Sequence, residues 1–194
     1  MSKRIALLSA AAIGAFALTS TALVPAYAKD KMMKSEMSGE KTVMVGGAPM
    51  YPSKNIVENA VNSKDHTTLV AAVKAAGLVD TLAGPGPFTV FAPTNAAFGK
   101  LPKGTVETLV KPENKATLTK ILTYHVVPGK MNAADLQDGQ KLTTVEGEQL
   151  TVKKSGGKVM LTDAKGGSST ITIPDVNQSN GVIHVIDTVV MPKA

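Results

Sequence analysis

The chain has 194 residues, a formal net charge of +6 and no cysteine. Without cysteine, disulfide constraint, thiol catalysis and zinc–cysteine sites are excluded. Only 4% of the residues are aromatic and the basic residues are scattered along the chain, so no basic patch with stacking rings is available to bind nucleic acid.

The first 28 residues have the pattern of an export signal. The basic start MSKR precedes an apolar stretch interrupted by glycine, serine and threonine, and Ala26-Tyr27-Ala28 supplies a small-x-small cleavage site. A retained span would need about 20 residues of less interrupted hydrophobicity. We therefore expect residues 1–28 to be removed, no stable membrane span to remain, and the protein to be secreted or periplasmic.

A polar segment follows the signal. Residues 29–50 are rich in methionine, lysine and glycine and show no helical or strand period, which predicts a flexible tail before a folded domain at 51–194. The tail contains Met32, Met33 and Met37, and methionine thioethers can bind copper(I). Copper binding is therefore an alternative hypothesis, although no histidine or cysteine accompanies these methionines.

The domain is predicted to begin with two helices. Ser53 or Asn55 is placed to cap the first helix, and Asp65 or Thr67 to cap the second. Gly77 follows the last apolar position of the second helix, as expected of a left-handed residue that ends a helix. Both helices carry apolar residues at helical spacing, which predicts one buried face on each.

A strand and further helices come next. The run FTVFA has the β-branched and aromatic content of a buried strand, which Pro93 ends. Thr94 is placed to cap a short helix over NAAFGKL. Two more helical segments begin at Thr105 and Pro112, and the second has apolar residues at helical spacing.

From Lys141 to Val190 the pattern changes to short alternating runs separated by glycine-containing turns such as EGE, SGG and SNG. Such runs predict strands joined by tight turns. Helices followed by strands favour the α+β class, with the earlier FTVFA and HVV strands joining the later sheet.

Three long motifs occur in a fixed order along the chain. They are FTVFAPTNAAFGKLP (Phe88–Pro102), YHVVPGK (Tyr124–Lys130) and NGVIHVIDTVVMP (Asn180–Pro192). Together they resemble the fasciclin domain family, and the likeness extends over residues 52–192. The resemblance implies a single α+β domain: a compact β-sandwich of about seven strands with a wedge of several helices. It implies no known enzyme reaction and no cofactor.

The resemblance also implies a class of function. Similar domains are secreted or cell-surface adhesion modules, so we expect a monomeric, non-enzymatic matrix-interaction module whose rigid surface meets an extracellular or cell-envelope protein or polysaccharide. Tyr124 and His125 match the family's tyrosine–histidine pair, which is linked to adhesion in animal members. Pro174 and Asp175 match part of an acidic integrin-recognition motif, but isoleucine replaces the acid before them, which disfavours integrin binding.

His125 lies in an otherwise apolar run, and strand alternation would place it opposite Tyr124. Both side chains can point inward only if the chain bends, as at a junction between helix and strand. A buried imidazole stays neutral because desolvation lowers its pKa, and it then needs hydrogen-bond partners. We expect these partners to be Asn95 first, with Thr94 and Asp135 as the other candidates.

The other two histidines favour structural roles. His66 is expected at the exposed start of the second helix, and His184 shares a strand face with Val182 and Ile186. No G-x-S-x-G, H-E-x-x-H or phosphate-loop pattern is present, so no catalytic residue is predicted. A small apolar ligand in a crevice between the helices and the sandwich is the second alternative to adhesion, beside metal binding.

Overall fold

The computed structural model describes residues 42–193. Nine strands are present in this range: β1 Val43–Val45, β2 Ala48–Met50, β3 Phe88–Pro93, β4 Val126–Pro128, β5 Lys141–Thr143, β6 Gln149–Ser155, β7 Lys158–Thr162, β8 Ser168–Gln178 and β9 Gly181–Ile186. The α-helices are α1 Ile56–Ala60, α2 Thr67–Ala76, α3 Val79–Ala83, α4 Asn95–Gly99, α5 Thr105–Leu109 and α6 Lys115–Tyr124, and 3₁₀ turns occur at Lys64–His66 and Pro112–Asn114.

Seven of the strands form one mixed sheet in the order β4-β3-β9-β8-β7-β6-β5. Neighbouring strands are antiparallel except β3 and β9, which pair in parallel. The two ends of the sheet also approach each other, because the Val145 N–H, just after β5, donates to the Val126 carbonyl of β4 at 2.8 Å. The sheet is therefore nearly a barrel, and the predicted α+β class with about seven strands and several helices is confirmed.

The central strands β3 and β9 are buried on both faces. In β3, Val90 and Ala92 pack with the helices, whereas Phe91 between them packs inside the curled sheet. The same alternation places Ile183 and Val185 of β9 on the helical side. Side chains point to opposite faces at successive strand positions, so these two strands separate a core under the helices from a core inside the sheet.

Local signals in the sequence set several element ends. Asn55 and Glu58 form a capping box at the start of α1, Thr94 accepts from the Ala97 N–H to cap α4, and Gly77 is left-handed at φ 74° after α2. These caps satisfy backbone groups that a helix end leaves free. The cap predicted for α2 from Asp65 or Thr67 is wrong, because no side chain of its own first turn caps that helix.

The cap of α2 comes instead from a distant residue. The Asn95 side-chain oxygen accepts from the Thr68 N–H at 3.0 Å, and its amide nitrogen donates to the Lys64 carbonyl at 2.8 Å. The asparagine of the PTN turn thus supplies a helix cap across 27 positions of sequence. This contact fastens the turn after β3 to the start of α2.

The folded domain begins earlier than the sequence predicts. Residues 43–50 form a hairpin in which β1 pairs with β2, and Val45 and Met50 lie in the core under the helices. Residues 43–50 therefore belong to the folded domain and not to the tail predicted at 29–50. Each of these strands has only three residues and one buried side chain, so the sequence shows no recognisable alternation of apolar and polar residues there.

Other predictions for the N-terminus fall on residues that the structure does not describe. The signal peptide at 1–28, the rest of the tail at 29–41 and the copper-binding methionines lie outside the described residues. Between residues 42 and 193, no helix combines the length and the apolar character that a membrane crossing requires.

We predict that Met50→Ala lowers the free energy of unfolding by about 2–4 kcal/mol, because truncating a buried methionine removes apolar contacts and leaves a cavity. Met50 is 3% exposed, whereas Met44 in the same hairpin is 57% exposed. Met44→Ala is the matched control and should change the stability by less than about 0.5 kcal/mol. Urea denaturation measures both; equal effects would show that the hairpin is not part of the core.

Candidate functional site

The tyrosine–histidine motif lies where helix α6 passes into strand β4. Tyr124 is the last helical residue, and His125 caps the helix with right-handed helical dihedrals before Val126 starts the strand. The turn between the two geometries sends both side chains inward, where Tyr124 is 0% and His125 is 2% exposed. The bend that the sequence required at this position is present.

Tyr124 fills the core inside the sheet. Its hydroxyl donates to the Gln149 carbonyl at 3.2 Å and accepts from the Ala164 N–H at 3.0 Å. A buried hydroxyl needs such partners because desolvation without them costs free energy. Burial also raises the pKa of Tyr124, so the ring is neutral at physiological pH and joins α6 to β6 and to the segment after β7.

His125 lies on the opposite side, in the wall between the helices and the sheet. Its Nδ1 donates to the Ile121 carbonyl at 2.8 Å, and its Nε2 accepts from the Val190 N–H at 3.3 Å. These two bonds define a neutral imidazole with its proton on Nδ1. Burial lowers the pKa of His125 to about 4, and the ring joins α6 to the C-terminal segment.

The three partners expected for His125 are not the ones found. Thr94 caps α4, Asn95 caps α2, and Asp135 accepts from the Asn132 N–H within its own loop at 2.9 Å. All three side chains are therefore engaged elsewhere. The error has a physical cause: main-chain groups of distant segments satisfy the ring, and residue types in the sequence do not reveal which main-chain groups come close.

His184 of β9 connects a second set of segments, next to an irregular part of β8. Its Nδ1 accepts from the Asp175 N–H at 3.2 Å, and its Nε2 donates to the Met131 carbonyl at 2.8 Å. The ring also stacks on Phe91 with centroids 5.6 Å apart. Burial lowers the pKa of His184, so the neutral form that these bonds require is favoured.

Asp175 lies at a break in the β8–β9 register and has a positive φ of 57°. Its carboxylate accepts from the Ala133 N–H at 2.7 Å. Together with His184, it therefore fastens the loop after β4 to strand β8. Pro174 beside it is exposed, and its missing N–H costs nothing at a position where the ladder is already interrupted.

The four residues predicted to meet a partner do not form one patch. The side chains of Tyr124 and His125 are buried, so neither ring is available to a partner in this conformation. Strands β3 and β9 lie between β4, which follows His125, and β8, which carries Pro174 and Asp175. Only the Pro174–Asp175 pair reaches the surface.

Two amide side chains that the sequence interpretation missed join the helices to the sheet. The side chain of Asn59 in α1 hydrogen-bonds Gln178 of β8 and both backbone groups of Tyr51. Asn180 accepts from the Ile56 N–H and donates to the carbonyls of Leu82 and Gly84. The burial of Asn59 could have been predicted from its spacing, because it lies three positions after Ile56 and therefore on the same buried face of α1.

His66 is buried and not exposed, contrary to the sequence-based expectation. It is 3% exposed, because the 3₁₀ turn before α2 directs its ring into the protein, where Nδ1 and the Ser63 hydroxyl lie 2.9 Å apart. Burial lowers the pKa of His66, and the Ala92 carbonyl and Asp65 oppose this effect in part.

The arrangement offers little to a chemical reaction. All four ring nitrogens of His125 and His184 are engaged in hydrogen bonds, so neither ring has a nitrogen free to act as a general base. Over residues 42–193, no group of three or more histidine, aspartate or glutamate side chains could hold a metal ion. The two rings instead connect distant segments.

Comparison with known proteins places these features in a family context. The family model of the fasciclin domain matches residues 64–192. Protein sll1483 of Synechocystis sp. is 51% identical over 186 residues, which cover 95% of this chain and 98% of that protein. The cell surface glycolipoprotein MPB83 of Mycobacterium bovis is 38% identical over 140 residues, covering 70% of this chain and 59% of that protein.

A solved structure shows the same fold. The chain superposes on a FAS1 domain pair from the insect cell adhesion molecule Fasciclin I with a TM-score of 0.63. The match covers 77% of this chain and 57% of that one at 17% sequence identity. Fold similarity at this level of identity concerns the architecture alone.

The burial of His125 predicts a specific acid sensitivity. Its pKa of about 4 in the folded state lies below the ordinary histidine value of 6.5, so between these two pH values the unfolded chain binds more protons than the folded one. The contribution of the neutral His125 ring to the free energy of unfolding is complete above pH 6.5. It decreases by about 3 kcal/mol as the pH falls to about 4. His125→Leu should remove this dependence while costing stability at pH 7.

Urea denaturation of both proteins at several pH values measures the effect. The stability difference between wild type and His125→Leu should be largest above pH 6.5 and should shrink towards pH 4. A constant difference across this range would mean that the ring is not held in the neutral form. Wild-type stability with lost partner binding would instead identify His125 as a contact residue.

Proposed function

Because the chain belongs to the fasciclin domain family, we propose that it is an exported, non-enzymatic adhesion module with a rigid binding surface. Its partner is an extracellular or cell-envelope protein or polysaccharide. One observation carries this proposal: Tyr124, His125 and His184, all in the family motifs, point inward and bond mainly to the main chain of distant segments. Side chains used in this way fix the shape of a surface and leave no group free for chemistry.

The surface that these contacts fix best is the docking face, which we define as residues 130–135 together with Pro174 and Asp175. The Asp175 carboxylate accepts a hydrogen bond from the Ala133 N–H, and the His184 ring donates one to the Met131 carbonyl. The loop is thus anchored twice to β8 and β9. Binding to a pre-organised surface avoids the cost of ordering a loop, which suits a module that acts by contact.

The docking face offers mixed chemistry to a partner. Lys130, Asp135 and Pro174 are exposed, so one cation, one anion and an apolar ring lie within a loop and a bulge that are hydrogen-bonded to each other. Tyr124 and His125 contribute at a distance, because they hold the helix–strand junction from which this loop emerges. Their part is to position the face and not to touch the partner.

The sequence pattern of the N-terminus and one relative support the location in this proposal. Residues 1–28 have the pattern of a signal peptide, and MPB83 is by name a cell surface protein. A secreted or periplasmic location follows if the signal is cleaved, with residues 29–41 as a spacer. Copper binding by Met32, Met33 and Met37 stays a prediction about residues outside the described part of the chain.

We predict that Pro174→Glu weakens binding to host envelope or medium components at least about tenfold, because a new charge in the contact is desolvated without a partner. Ser168→Glu is the matched control: it adds the same charge at an exposed position of the same strand, about 20 Å away at the rise of a β-strand. Biolayer interferometry with envelope fractions measures both variants, and thermal melting verifies that each is folded.

Pretreating the fraction with protease or with polysaccharide hydrolases separates the two classes of partner. Loss of binding after only one treatment identifies the class. Equal binding by Pro174→Glu and wild type would remove the docking face from the proposal. Turnover of a substrate by the folded protein would contradict the non-enzymatic assignment.

A further inference from the structure

A largely apolar cleft runs between the helices and the sheet, and no residue of the docking face lines it. Its floor is formed by β3, β8 and β9, and its walls by α1 and α2. It holds about 760 Å³ of space, open solvent at the mouth included, with an inner free volume of about 50 Å³. Half-buried Val57, Val70 and Val79 and exposed Lys74 lie around its lining, which marks the side that faces solvent.

One buried polar atom in the lining has no partner. His66 is 3% exposed, and its Nε2 forms no hydrogen bond, although Nδ1 is bonded to Ser63. The nearby Ala92 carbonyl opposes in part the lowering of the ring's pKa. An unsatisfied buried polar group destabilises the fold, so a ligand that hydrogen-bonds to Nε2 recovers that free energy.

The other polar groups in the cleft are already satisfied or solvated. Both nitrogens of His125 are bonded, and the Ser63 hydroxyl is taken by His66. Lys74 is exposed at the mouth. Nε2 of His66 is therefore the single fixed point at which the lining, as described, directs a polar group of a ligand.

The dimensions of the cleft select a narrow ligand. An inner free volume of about 50 Å³ is about a third of the roughly 150 Å³ of an engineered cavity that holds benzene. Only a few atoms of a ligand fit in this inner space, so the rest of the ligand must extend along the open part of the cleft. From His66 to Lys74 the cleft follows α2 for eight residues, about 12 Å at the helical rise.

The chemistry at Nε2 selects a hydroxyl group. The neutral ring carries its proton either on Nδ1 or on Nε2, so Nε2 is an acceptor in one tautomer and a donor in the other. A hydroxyl both donates and accepts, and it satisfies Nε2 in either case. The apolar side chains of Leu69 and Val73 then leave room only for hydrocarbon along the rest of the cleft.

We propose that this cleft binds a slender aliphatic alcohol, with its hydroxyl on Nε2 of His66 and its chain along Leu69 and Val73 towards the mouth. The cleft shares no lining residue with the docking face, and the proposal does not depend on the adhesive function. It would allow the protein to hold a small amphiphile while its outer surface is engaged.

The test uses ¹⁵N-labelled protein titrated with 1-hexanol and, in parallel, with 1-chlorohexane, which has the same chain without the hydroxyl. We expect saturable shifts of the α2 and β3 amides with 1-hexanol and a change at the His66 Nε2 resonance. The chloride should bind about fivefold more weakly, the equivalent of one neutral hydrogen bond, and should leave the Nε2 resonance unchanged.

A pair of variants ties the binding to this cleft. Val70→Phe narrows the lining and should weaken 1-hexanol binding at least about tenfold. Val61→Phe makes the same change at a position that is 49% exposed and outside the lining, and it should bind as wild type does. Both variants are first verified by their amide spectra, since an unfolded variant would give no information on the cleft.

Three results would overturn the proposal. Shifts that do not saturate would show that hexanol acts only as a solvent. Equal affinity for the alcohol and the chloride would show that Nε2 is served by water and anchors no ligand. Wild-type affinity in Val70→Phe would place the ligand elsewhere.

Discussion

The structure depends on the junction at which helix α6 becomes strand β4. One residue on each side of the change in backbone geometry is buried, so Tyr124 enters the core inside the sheet while His125 lies in the wall under the helices. Each ring bonds to main-chain groups far along the chain, and the His125 carbonyl itself accepts from the Phe91 N–H of β3 at 2.9 Å. Helices, sheet and C-terminal segment are thereby held at one point, and a charged imidazole there would have to be desolvated, a cost that Asp163 offsets only in part.

The two cores give this junction its importance. Strands β3 and β9 are buried on both faces because they separate the helical core from the core within the curled sheet, so a shift of either strand would disturb both. Neutral histidines suit this setting: they span the layers with one donor and one acceptor each and carry no charge. His184 repeats the arrangement of His125 on the next strand pair, where it connects β9 to the bulge of β8 and to the loop after β4.

These structural roles explain why the motif residues themselves are poor candidates for contact with a partner. Buried side chains define what their neighbours expose, and here they define the docking face around Pro174 and leave a cleft beside α2. The face and the cleft differ in chemistry: the first is polar and pinned by hydrogen bonds, whereas the second is apolar with one unsatisfied nitrogen, on His66. A single small domain can therefore offer one surface for macromolecules and a separate site for a small amphiphile.

The sequence by itself determined the local features of the fold, which depend on residues only a few positions apart. The caps at Asn55 and Thr94, the left-handed Gly77, the alternation in β9 and the bend at Tyr124 all follow from spacing within a few positions, and the long motifs indicated the family. Tertiary structure alone decided the partners of His125, one of them 65 positions away, the inward turn of His66, and the place of residues 43–50 in the core. Those outcomes depend on which main-chain groups and apolar faces meet when the sheet curls, and short-range spacing contains no information on that closure.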